Sequence, residues 1–159
     1  MADGVFNIAK GHVNEYVNRI VNNDPANSAL IIVMLKASEA DAVLQDYDDL
    51  GALLGAGGNT EANFTNYERF TLTDTADAPS IAVDDTNNRK DADFPDLTIT
   101  SAGGASNNAL TKALVCYDSD TGAGTDANII PLTYHDFAVT TNGNDLILQV
   151  AAAGFYQAA

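Results

Sequence analysis

The sequence predicts a mainly β fold: an antiparallel β-sandwich or barrel with one inserted α-helix and an N-terminal arm or short helix. Three observations predict it. Beyond residue 59, short runs rich in β-branched and aromatic residues alternate with clusters of Asn, Asp and Gly. Ala29–Leu35 is an unbroken apolar run, as expected of a strand buried on both faces. One stretch alone, residues 39–54, has an acidic first turn and glycines just past its end, the punctuation of a helix.

Taken in order, residues 1–27 form the arm or short helix, and residues 28–159 a single β-rich domain. Val13, Tyr16, Val17, Ile20 and Val21 fall on one face of a helix at about 11–21. Asn14, Asn18, Asn22 and Asn23 are poor helix formers, so an extended arm lying on a neighbour is the alternative. Asn23-Asp24-Pro25 closes the segment, because a residue before proline avoids the α region. Ser28–Ala37 is a central strand. Ser38 caps the next helix, with Val43, Tyr47, Leu50 and Leu54 along its apolar face. Gly51 weakens its middle and offers a split, with Asp46 as a second cap.

The expected strands then follow. They are Phe64–Thr73, Ser80–Val83, Arg89–Phe94, Leu97–Thr100, Leu110–Tyr117, Ile129–Thr141 and Asp145–Ala151, with a last short strand or aromatic anchor at Gly154–Tyr156. Asp84–Asn88 joins two of them as a turn, and Asn142-Gly143 predicts a hairpin. Val33, Leu35, Ile99, Leu114, Cys116, Phe137 and Val139 are the expected core.

Charge limits the partners. The chain has 22 Asp and Glu against 7 Lys and Arg, a net charge of −15. Residues 1–38 hold three of each sign, so residues 39–159 carry the whole imbalance. Such a surface repels polyanions, and a body with four basic residues cannot displace counterions from nucleic acid. No nucleic-acid partner is expected. The longest apolar run is far short of the roughly twenty residues of a membrane span, so no membrane partner is expected either. Met1-Ala2-Asp3-Gly4 lacks the basic, then apolar pattern of a signal peptide, which implies synthesis in a cytoplasm.

Chemistry-bearing motifs are sparse. Cys116 is the single cysteine, so neither an internal disulfide nor a cysteine metal site can form, and its apolar run makes it a buried thiol. Asp118-Ser119-Asp120 through Asp126 resembles a calcium loop, but Ile129 stands where a bidentate Glu belongs. It is expected to be an acidic turn, as are Asp91, Asp93 and Asp96. Tyr134-His135-Asp136 could orient an imidazole, but no nucleophile accompanies it, and His12 is remote. Gly55–Gly58 and Gly103-Gly104 are turns, since neither leads from a strand into a helix with a Lys. The expectation is a non-enzymatic protein without cofactor or metal.

Several segments resemble small virion proteins of tailed bacteriophages. They include Phe6-Asn7-Ile8-Ala9-Lys10-Gly11, Asp24–Ile31, Leu44–Leu50, Val83–Asn87, Leu114–Asp118, Ile130–Thr133 and His135–Thr140. The resemblance runs nearly end to end. It implies a structural component of the virion, made in the host cytoplasm, with no catalytic residues to carry over. Small size and an acidic body fit a decoration, or cement, protein on the head exterior. It would bind the major capsid protein and act as a homo-oligomer. The expected contacts are Phe6, Ile8, Val13, Tyr16, Val17 and Ile20 of the neutral N-terminal segment. The alternative is a tail or head-fibre module binding a host-surface carbohydrate or receptor, with Tyr117, Tyr134 and Tyr156 as the sugar platform.

Overall fold

A computed structural model describes residues 3–158, so the first two residues of the expected arm and the last of the expected domain lie outside it. The chain runs β1 (Gly4–Val5), a 3-10 turn (Asn7–Ala9), α1 (Val13–Val21), β2 (Ala29–Ala37), α2 (Asp41–Leu44) and α3 (Leu50–Gly55). It continues through β3 (Thr60–Glu61), β4 (Phe70–Leu72), β5 (Ser80–Asp84), β6 (Arg89–Asp93), β7 (Leu97–Ile99) and β8 (Lys112–Asp118). A second 3-10 turn (Asp126–Asn128) precedes β9 (Ile130–Asp136), β10 (Leu146–Leu148) and β11 (Tyr156–Ala158). The fold is mainly β, antiparallel and sandwich-like.

The central sheet is ordered β1-β9-β8-β2-β3, with β4 also on β2. Two small sheets, β11-β6-β5 and β10-β7, complete the β structure among the described residues. Strand β2 explains the unbroken apolar run. Leu30, Ile32 and Met34 enter one core with Val13, Val17 and Ile20 of α1 and with Phe94, Leu97, Leu146 and Leu148. Ile31, Val33 and Leu35 enter a second core with Phe6, Leu44, Leu50, Leu53 and Tyr134. Both faces of the strand are therefore dry, and alternation has no polar residue to show.

The far edge of β2 is finished by a side chain. β4 pairs with Leu30–Ile32 and β3 with Leu35 and Ala37. Between them the Met34 N–H donates to the Tyr67 hydroxyl at 3.1 Å, while Ala62 N–H donates to the Met34 carbonyl at 2.8 Å. This is why the expected strand Phe64–Thr73 forms only at Phe70–Leu72. Its first half is a turn, with Asn66 at φ 68°, which swings Tyr67 into place.

Other expectations are corrected. The helix at 39–54 is two short helices, and neither Ser38 nor Asp46 caps them. Ala40 precedes α2, and Asp49 caps α3 by accepting from Ala52 N–H at 2.7 Å. The intervening Asp-Tyr-Asp-Asp run favours turns over helix. The break also shifts the apolar phase, so Leu50 is buried while Val43 is 48% exposed. Residues 13–21 are helical, as the periodicity required. Asn142-Gly143 does not make a hairpin between the last strands: β10 pairs with β7, and Thr140 bridges to Ala109. β9 accordingly stops at Asp136. Val139 lies outside the core, while Phe137 packs against it and Val33, Leu35, Ile99, Leu114 and Cys116 lie within it.

Candidate interaction groove

Where the β1–β9 edge of the central sheet passes beside the C-terminal strand β11, the two layers part and leave a groove. A bulge in β9 prepares it. Cys116 pairs with Pro131 and Val115 with Thr133, so Leu132 is the extra residue. Beyond the bulge Tyr134 turns into the second core, and His135 turns toward the groove. The groove comprises a cavity of about 240 Å³ with Phe94, Phe137, Leu148, Val150 and Phe155 in its lining. It adjoins a second cavity of about 300 Å³ lined by Val5, Thr133, Tyr156 and Gln157. Asp3, His135, Gly154 and Phe155 border both.

The polar rim is tied to the N-terminal strand. Asp3 accepts from the Asp136 N–H at 2.9 Å and lies 3.2 Å from His135 Nδ1. The other imidazole nitrogen, Nε2, is 2.9 Å from Thr133 Oγ1. Partial burial opposes ionisation of Asp3, but the Asp136 N–H and His135 outweigh it and hold the carboxyl below its ordinary value. Hydroxyl, imidazole and carboxylate thus stand in a row, the outline of a nucleophile with its base. Thr133, however, is only 1% exposed. The row braces β1 against β9.

Beneath the rim lies Lys112, fully buried in a strand of apolar neighbours. Its Nζ is 2.7 Å from Asp136 and 2.8 Å from Asp41, and 5.1 Å from the centre of the Tyr134 ring. It ties β8, β9 and α2 together. Arg69 serves the opposite edge in the same way. Its guanidinium donates to both Glu61 oxygens at 2.7 Å and to Asp126 at 2.6 and 3.0 Å. That holds Asp126 below the ordinary carboxylate range.

The expected site residues are largely dispersed. Phe6, Val13, Val17 and Ile20 are fully buried in this chain's own cores, which removes them from any partner in this conformation. Phe6 meets Tyr134 edge to face at 5.4 Å. Tyr16 is half-buried against Tyr117 at 4.7 Å, and Ile8 remains exposed at 39%. Residues 1–27 are therefore an integral layer of the domain over their described part, not a free arm: an amphipathic helix buries its apolar face wherever an apolar sheet lies nearest. Of the three tyrosines of the sugar platform, Tyr117 and Tyr134 are buried, and Tyr156 alone borders the groove.

In the acidic loop, Asp118 accepts from the Asp120 N–H and Asp120 from the Gly122 N–H, both at 3.0 Å. With Asp126 on Arg69, each of these three carboxylates has a turn or a cation to hold. Asp91 lies 3.0 Å from Arg89, and Asp93 accepts from its neighbour's N–H. Asp96 accepts from Val150 N–H at 2.8 Å, pinning the segment after β10 that leads into the groove. His12 lies 3.0 Å from Glu15 on the helix surface. Burial pushes the Cys116 thiol far up, which makes it inert.

Sequence reasoning missed Asp3 and Lys112, and named Phe155 only within the aromatic anchor at Gly154–Tyr156. Lys112 had a signal: a lysine in an otherwise apolar strand requires a buried partner. Asp3 had none, since the groove joins segments far apart in the sequence. Comparison of the chain with protein-family models, with curated proteins and with solved structures gave no match.

Proposed function

We propose that this protein is a non-enzymatic structural component of a tailed-bacteriophage virion, a decoration protein that binds the major capsid protein on the outside of the head and stabilises it. The near end-to-end resemblance to small virion proteins motivates the class. The observation that carries the binding mode is the groove. Phe94, Phe137 and Phe155 give it an apolar lining, Asp3 stands at its rim, and the chain bears a net charge of −15. These features suit a basic segment anchored by an apolar side chain, presented by the capsid protein.

The test adds purified protein to undecorated heads and measures co-sedimentation. Binding at a copy number comparable with that of the major capsid protein is expected. Ala151→Arg and Gln157→Arg, both at exposed groove positions, should lower occupancy while leaving the fold intact by circular dichroism. Wild-type occupancy by both variants would rule out the groove as the docking element. Failure to bind heads, with a few copies found on the tail or on fibres, would favour the receptor-binding alternative.

A further inference from the structure

The small sheet β11-β6-β5 ends in a strand with one side unused. Strand β5, Ser80–Asp84, pairs with β6 over its whole length. Among the described residues, Ile81, Ala82 and Val83 make no backbone hydrogen bond to anything else. Val83 is 69% exposed, the most exposed large apolar side chain among the described residues, and Ala82 beside it is exposed as well. Proteins usually guard such an edge with lysine, an internal proline or a bulge. Here Pro79 stands just outside the strand, and β5 pairs with β6 in unbroken register.

We infer that the free edge of β5 pairs antiparallel with the β5 edge of a second copy of this chain, joining the two three-stranded sheets into one of six strands about a two-fold axis at Ala82. The residue order selects this partner and this register. Centred on Ala82, the pairing sets Val83 opposite Ile81 of the other copy and Asp84 opposite Ser80. The apolar pair is covered, and each carboxylate meets a hydroxyl. A register centred on Asp84 would instead oppose two like charges, which is destabilising. The contact is isologous, so this edge closes at two copies. One five-residue strand pair covers much less than the roughly 1,000 Å² of a standing interface, so the dimer is weak and concentration-dependent. This inference does not depend on the virion assignment.

Cysteine cross-linking of the full chain tests it. Ala82→Cys places the new thiol opposite its own copy, with Cα atoms about 4.5–5.5 Å apart for directly opposed strand residues. That lies within the roughly 4.4–6.8 Å span of a disulfide. Ser80→Cys is the control, because its partner in this register is Asp84. The native Cys116 is fully buried and does not compete. Mild oxidation should give a covalent dimer with Ala82→Cys and little with Ser80→Cys. The Ala82→Cys yield should rise with added salt, which screens the repulsion of two acidic bodies. Adding Val83→Lys to Ala82→Cys should suppress the dimer. Equal yields at positions 80 and 82, no cross-link at 82 at any protein concentration, or indifference to Val83→Lys would each overturn the inference.

Discussion

At the scale of single residues, buried charge decides the most. Lys112 is withdrawn from water and answered by two carboxylates that keep partial contact with it. Replacing it by Met keeps the side-chain bulk but leaves Asp41 and Asp136 facing each other. The expected cost is roughly 3 kcal/mol, the low end of about 3–5 for breaking a buried pair, because the carboxylates are not fully buried. Burial opposes the charge on Lys112, yet Asp136 and Asp41 raise its pKa above the ordinary 10.5. A raised folded-state pKa adds stability that is complete below the unfolded value and is lost as pH rises through the folded one. Thermal melts from about pH 9 to about pH 12 should therefore show the gap between wild type and Lys112→Met narrowing toward the alkaline end. A gap independent of pH would mean that the lysine is held by packing alone. The Thr133–His135–Asp3 row makes a different prediction. His135→Ala should lower stability modestly, because it releases Asp3 and Thr133 from the brace between β1 and β9. Ester hydrolysis by the wild type, abolished by Thr133→Val, would show that the row is catalytic after all.

At the scale of elements, the two-faced strand β2 holds the fold together. Leu35 is fully buried in the second core, and Leu35→Ala should cost roughly 2–5 kcal/mol in chemical denaturation. The C-terminal strand depends on one glycine. Gly154 sits at φ +78°, and a Cβ there would run into the Ala92 carbonyl. Gly154→Ala should cost at least about 1 kcal/mol and loosen β11, read as faster hydrogen exchange at Tyr156–Ala158. Elements were legible in the sequence where a local rule governed them. The apolar run at 29–35, the 13–21 helical stripe and the Asp84–Asn88 turn are of this kind. They were illegible where a distant partner won. Asn142-Gly143 has hairpin chemistry, but β10 finds β7 across the molecule. The apolar face of α1 was expected to contact a partner, and it packs instead into the chain's own core. The groove was the least legible part, because Asp3, His135 and Phe155 meet only after both ends of the chain fold together.

At the scale of the whole molecule, the ion pairs turn inward and the acids outward. Lys112, Arg69 and Arg89 are each paired within the chain, so most of the excess negative charge faces solvent. Repulsion between the acidic bodies opposes association of free copies, which keeps the β5–β5 pairing weak, and a basic docking surface is favoured over others. Deleting residues 2–22 would not test docking, because it would strip Val13, Val17 and Ile20 from the core. Surface substitutions such as Ile8→Asp probe the N-terminal layer without unfolding it. The most direct measurement is a reconstruction of the virion at a resolution sufficient to place this fold. Density for the chain on the outer face of the head, repeating with the capsid lattice and with the β1–β11 groove against the major capsid protein, is the predicted result. A head surface without it, and the chain found at the tail or absent from the particle, would contradict the decoration assignment.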